Sequence, residues 1–175
     1  CSWSRGLGDV YKRQLVDFMA VVMQFTRIKI KWSFFSDEAP DLKRACWAFP
    51  LAGWLLGFIA GGLGQILILM DLPVILGCAI AIAFCIYLSG AYHEDGLADM
   101  ADGFGAGGDG RRISNISHDS RLGTYGVSAL SLAIIVRVLL VSSLVETGLW
   151  LCLIMGSGLA VGKGFVMINR RPVSY

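Results

Sequence analysis

Charge is scarce in this sequence. Asp, Glu, Lys and Arg make up 16% of its 175 residues, against about 25% in an ordinary soluble domain. Together with 55% hydrophobic residues and a mean hydropathy of +0.65, that shortage excludes a water-soluble globule and makes lipid the natural solvent. Cysteine pairs are also missing. Cys1, Cys46, Cys78, Cys85 and Cys152 show no C-x-x-C spacing, and three of them lie inside apolar runs, where a thiol behaves as a small hydrophobe. A disulfide framework or a structural zinc site is not expected. No basic stripe with interleaved aromatics exists, so nucleic acid is not an expected partner. The acids, finally, are absent from the long apolar runs and gather elsewhere.

Those runs define an all-α, polytopic transmembrane bundle. Ala48–Met70 carries no formal charge over 23 residues, about 34 Å of helix. Its Gly53, Gly57 and Gly61, at four-residue spacing, form one flat stripe suited to close helix packing in lipid. Asp71-Leu72-Pro73 predicts a turn and Pro73–Tyr92 a second span. A third runs from Tyr125 to about Val145, Glu146-Thr147-Gly148 turns it, and a fourth runs from Leu149 to about Ile168. Four spans are thus expected, preceded by a short apolar helix at Leu15–Phe25, too short to cross a bilayer. Arg27-Ile28-Lys29-Ile30-Lys31 reads equally as a short strand or a surface loop. Residues 1–14 lack the apolar core of a signal peptide and are read as a non-native leader, as are residues 172–175 as a tail. Residues 15–171 then form one membrane-embedded domain, expected to be cut at its C-terminal side.

Arginine and lysine sit before the first span, between the second and third, and after the fourth; the turns at Asp71 and Glu146 have none. Four spans place all three basic segments on one side, which the positive-inside rule makes cytoplasmic. The expected location is a bacterial inner membrane with these segments facing the cytoplasm. Arg137 and Lys163 are exceptions inside spans, with no mid-span acid to pair with.

The chemistry lies in His93-Glu94-Asp95-Gly96-Leu97-Ala98-Asp99-Met100-Ala101-Asp102-Gly103. As a helix, this segment puts Asp95, Asp99 and Asp102 within roughly 60° of one another. Like charges on successive turns repel, so a cation is expected between them. Mg²⁺, which takes carboxylate, water and phosphate oxygens, fits such a set. Gly96 and Gly103 allow close approach of substrate or backbone, while His93 and Glu94 can orient ligands or carry a proton. A solvated acidic loop is the plainer alternative, weakened because the acids begin where an apolar span ends. A zinc site using His93 and His118 lacks recognisable spacing. Downstream, His118-Asp119-Ser120-Arg121-Leu122-Gly123-Thr124-Tyr125-Gly126 offers Arg121 as a phosphate clamp and Asp119 as metal ligand or base, or else an ordinary helix start capped by Asp119 or Ser120.

These two segments resemble the signatures of the cobalamin 5′-phosphate synthase (adenosylcobinamide-GDP ribazoletransferase) family, with Phe25-Thr26-Arg27 and Phe49-Pro50-Leu51-Ala52-Gly53 as further matches in order. The resemblance implies transfer of the phosphocorrinoid of adenosylcobinamide-GDP to α-ribazole or its 5′-phosphate, with release of GMP and a requirement for Mg²⁺. It implies Asp95, Asp99 and Asp102 as metal ligands. It implies His93, Glu94, Asp119 and Arg121 as catalytic groups, with Gly96, Gly103, Ser120 and Arg121 contacting substrate. Homo-oligomers are compatible with this reading. The chain departs from the family pattern in length and after Arg27, where Ile28-Lys29-Ile30-Lys31 stands in a stretch in which the family tends to place a proline. CDP-alcohol phosphotransferases share the start of Asp95-Gly96-Leu97-Ala98 but continue differently, and intramembrane prenyltransferases also use aspartates for Mg²⁺; neither accounts for residues 119–126. A divalent-cation transporter would need acids within the spans.

Overall fold

The computed structural model describes residues 3–29, 31–32, 41–107 and 122–168. Among these residues six α-helices follow one another: α1 (Trp3–Phe25), α2 (Phe49–Leu69), α3 (Val74–Ser89), α4 (Tyr92–Gly105), α5 (Thr124–Glu146) and α6 (Leu151–Ile168), with a 3₁₀ turn at Arg44–Ala48 leading into α2. No strand occurs among the described residues, so the protein is an all-α membrane bundle.

Helix α1 runs unbroken through the expected leader boundary at residue 14, and the apolar Leu15–Phe25 stretch is its C-terminal half. It stops where Thr26 turns inward: the hydroxyl donates to Val22 O at 2.7 Å and accepts the N–H of Ile28 at 3.2 Å. Such side-chain bonds compete with the helical ladder. The backbone of Arg27 then leaves α1 and donates to Leu88 O at 2.8 Å, at the end of α3. Residues 26–29 are therefore a loop rather than a strand. Earlier in α1, buried Asp17 accepts a two-pronged ion pair from Arg44, with contacts of 2.6 and 3.0 Å. Val21 packs with Ala45, Ala48, Phe49 and Ala52 in a small core that ties α1 to the start of α2.

The glycine stripe finds its partner in α6. A Cβ at Gly53 would meet Leu159 O at 2.7 Å, one at Gly57 would meet Met155 O and the Cα of Gly156, and one at Gly61 would meet the Cα of Cys152 at 2.7 Å. Only glycine allows backbones this close, and in lipid the contacts so gained supply the attraction between helices. Gly64 continues the line onto α3 at Gly77 and Ala81. A second core of Ala60, Cys78, Ala81, Ile82, Leu151 and Met155 fills the space between α2, α3 and α6, with Cys78 a buried free thiol.

Two of the four expected spans meet full membrane length and hydropathy: Arg44–Leu69 and Thr124–Glu146. The second expected span is shorter than predicted. Helix α3 ends at Ser89 because Gly90 takes a left-handed φ of 70°. The Gly90 N–H donates to Tyr87 O and the Ala91 N–H to Ile86 O, a Schellman closure. Ala91 also has positive φ, and α4 leaves at 89° to α3. Helix α6 carries a shorter apolar stretch, Leu151–Phe165.

The ends of the bundle are chemically distinct. At one, the turns after α2 and α5 meet, and the side-chain oxygen of Gln65 accepts the first free N–H of α6, Leu151, at 2.8 Å. At the other lie Arg27, the α3–α4 bend and the acidic segment.

Candidate functional site

Helix α4 holds the whole acidic segment, so Asp95, Asp99 and Asp102 do lie on successive turns of one helix. Tertiary contacts then divide them. Asp95 is exposed and Asp99 half-buried, whereas Asp102 is buried. The Asp102 carboxylate accepts the N–H of Gly123 at 2.7 Å and that of Gly126 at 2.8 Å. These are orphan donors at the start of α5, whose own N-cap, Gly123, has no side chain to satisfy them. Asp102 thus caps α5 from another helix, and its charge suits the positive helix end. The contact also explains both glycines: a Cβ at Gly123 would meet Asp102 Cγ at 2.8 Å and one at Gly126 would meet it at 3.0 Å. The two sequence segments are therefore joined through the third aspartate of the first and both glycines of the second.

The spacing of the aspartates points Asp102 to the metal and leaves Gly123 and Gly126 without a role. The available signal was a helix start lacking Ser, Thr, Asp or Asn at its N-cap. Asp119, Ser120 and Arg121, expected in catalysis and substrate binding, lie outside the described residues, as does His118.

Glu94 and His93 point to a different place from the aspartates. Glu94 Oε1 accepts Arg137 Nη1 at 3.1 Å, with the Glu94 side chain 12% exposed. This supplies the acid that no span offers Arg137; the partner comes from the bent helix instead. His93 stacks on Phe25 at 6.1 Å with Tyr92 edge-on at 5.7 Å. Phe25 in turn sits edge-to-face on Phe49 at 5.1 Å, so an aromatic column runs from α1 to α4. His93, Glu94, Arg137 and Lys163 share one end of an otherwise apolar cavity of about 480 Å³, walled by Leu56, Ile82, Val141 and Met155 among others.

Among the described residues, no three His, Cys, Asp or Glu side chains converge as a ready-made metal cage. Mg²⁺ seldom uses one: it takes one or two carboxylates and fills its octahedron with waters and substrate phosphates. Asp95 and Asp99, one turn apart on α4, suit that mode. A Cβ added at Gly96, between them, would meet nothing within 4 Å, which leaves the surface open to a ligand. Gly103, by contrast, is buried against the bundle.

The fold and site define an all-α membrane protein with an acidic helix beside a largely apolar cavity that Glu94, Arg137 and Lys163 line. A family model described as cobalamin-5-phosphate synthase matches residues 17–173, and the chain belongs to that family. Relatives named adenosylcobinamide-GDP ribazoletransferase include one from Azorhizobium caulinodans, 35% identical over 167 residues, covering 93% of this chain and 63% of that protein. One from Xanthobacter autotrophicus is 37% identical over 134 residues, covering 75% and 51%. One from Ralstonia pickettii is 41% identical over 122 residues, covering 69% and 46%. The chain thus spans about half to three-fifths of these relatives' length. No solved structure matches.

Proposed function

We propose that this chain forms the membrane-embedded part of a transferase that joins adenosylcobinamide-GDP to α-ribazole or α-ribazole 5′-phosphate. A hydroxyl of the acceptor attacks the corrinoid-side phosphorus. The new P–O bond forms as the bond to GMP breaks, and the hydroxyl proton passes to a base. Such a reaction depends mainly on positioning and on neutralising phosphate charge. Family membership supports the substrates. The observation that carries the site is the pair of bonds that Gly123 and Gly126 donate to Asp102, because they hold the acidic helix against the start of α5, three residues beyond Arg121 in the chain.

Asp95 and Asp99 would hold Mg²⁺, which supplies neutralisation of the diphosphate. Their carboxylates stand one turn apart on a rigid helix, so a substrate meets them preorganised. Arg121 would serve as a further cation toward phosphate. His93 serves best as base: its ring lines the cavity, whereas Glu94 is held by Arg137. Asp119 is the other candidate. Helix α4 and the basic segments then face the cytoplasm of a bacterial inner membrane, where the nucleotide substrate is made available.

The test is release of GMP by the protein in liposomes, given adenosylcobinamide-GDP and α-ribazole 5′-phosphate. Release should require both substrates and Mg²⁺, and Asp95→Asn or Asp99→Asn should lower it at least about a hundredfold. Wild-type rates from both variants would overturn the reading.

A further inference from the structure

The transfer chemistry gives Phe25, Thr26 and Arg27 no part, yet these three residues grip both arms of the bend that carries α4. Thr26 turns the chain at the end of α1. Arg27 then holds the last turn of α3. Its N–H donates to Leu88 O at 2.8 Å, a carbonyl that the helix end leaves without a partner of its own. Its guanidinium lies 5.3 Å from the centroid of the Tyr87 ring, and a Cβ at the left-handed Gly90 would meet its Cγ at 3.2 Å. Phe25 holds the first turn of α4: its ring stacks on that of His93, with centroids 6.1 Å apart and planes at 26°.

Phe25 is itself fixed from two further helices. Phe49 of α2 meets it edge-on at 5.1 Å. Lys163 of α6 places its ammonium 3.6 Å over the ring centroid. Lys163 is 5% exposed, and among the described residues its Nζ is the one buried side-chain nitrogen or oxygen without a hydrogen-bond partner. The Phe25 ring therefore offsets part of its desolvation, and no acceptor draws the ammonium away. His93 needs such a support, because it is exposed. Its other ring neighbour, Tyr92, edge-on at 5.7 Å, sits on α4 and moves with it. Phe25 is the ring that ties the imidazole to the bundle, in a stacked geometry that aromatic pairs favour. The far part of α4 is pinned by Asp102 to α5, so Asp95 and Asp99 lie between two fixed points.

We propose that Phe25 is a positioning residue for the transfer: it sets the His93 imidazole and the near end of α4, while Arg27 keeps the bend closed. The inference rests on His93 and the Asp95–Asp99 edge acting as proposed above. Phe25 acts through His93, so its loss displaces a reacting group without removing a substrate contact, and small displacements of such groups are costly to rate.

The experiment measures GMP release in liposomes beside the proton magnetic resonance signals of the His93 ring in detergent. His118, the other histidine of the chain, is replaced by Gln in the spectroscopic samples, so the imidazole signals belong to His93. Phe25→Leu keeps apolar bulk and removes the ring. Its kcat should fall at least about tenfold, with KM for both substrates within about twofold, and the His93 signals should move as the ring current is lost. Phe25→Tyr, which keeps the ring, should stay near the parent in both. A parental kcat from Phe25→Leu, a loss confined to KM, or unmoved His93 signals overturns the proposal while the transfer reading stands. A parental rate from His93→Gln, or no release by the parent, marks the failure of that reading instead, and the proposal falls with it. Should Phe25→Leu not fold, the parent decides: a nuclear Overhauser contact between the Phe25 and His93 rings supports the proposal, and its absence overturns it.

Discussion

Asp102 Oδ1 accepts the backbone N–H of Gly126 at 2.8 Å, while Oδ2 takes that of Gly123 at 2.7 Å. One carboxylate closes the N-terminus of a 23-residue helix that cannot cap itself. Asp102→Ala would leave two N–H groups unpaired in a buried place, a loss of about 2–3 kcal/mol. Asp102→Asn would keep one acceptor and lose about 1 kcal/mol. Thermal unfolding in detergent should show both losses, and added Mg²⁺ should not restore them. Asp95→Asn, at an exposed position, should leave stability within about 0.5 kcal/mol. An Asp102→Ala protein as stable as the parent would remove the capping role.

The Glu94–Arg137 pair joins the bent helix to α5 at 3.1 Å, with side-chain exposures of 12% and 45%. Removing one partner of a fully buried pair costs about 3–5 kcal/mol. Because Arg137 is half exposed, Arg137→Met should cost less, about 2 kcal/mol. The Glu94→Gln/Arg137→Met double variant should lose less than the sum of the singles, with a coupling of about 1–2 kcal/mol. Strict additivity in denaturation measurements would mean the two residues do not sense each other.

Neighbouring glycines of α2 should respond oppositely to enlargement. Gly57 faces the backbone of Met155 and Gly156, whereas Gly62 has nothing within 4 Å. Gly57→Val should separate α2 from α6 and cost about 2–3 kcal/mol. Gly62→Ala should be neutral or stabilise by up to about 1 kcal/mol through helix propensity. Similar losses from both would show that the α2–α6 contact does not depend on close backbone approach.

Asp41 starts the turn before α2, accepting the N–H of Arg44 at 3.2 Å and of Lys43 at 2.9 Å. The Arg44 bond above all, helped by Lys43, holds its carboxyl below the usual carboxylate range. A depressed folded-state value means the bonds are fully present above that range and are lost as pH falls through it. Amide-exchange protection at Lys43 and Arg44 should therefore be present at neutral pH and fade in acid. Asp41→Asn should remove the pH dependence. Protection unchanged down to strongly acid pH would contradict this.

Composition alone settled the solvent. With so few charges and such long apolar runs, the backbone must bond within helices, because lipid offers no other partner. Helical period placed Asp95, Asp99 and Asp102 along one edge, and the four-residue glycine spacing announced a close helix contact. Each is a local property, readable within a few turns. Which helix would fill the glycine stripe, that Asp102 would cap α5, that Arg137 would meet Glu94, and that Lys163 would stand without an acceptor were decided by tertiary structure. The 89° bend after Gly90 turned α4 back across α5, bringing together groups 21 to 43 residues apart in the chain. Sequence spacing carries no information about such pairs, because long-range contacts depend on how whole helices pack.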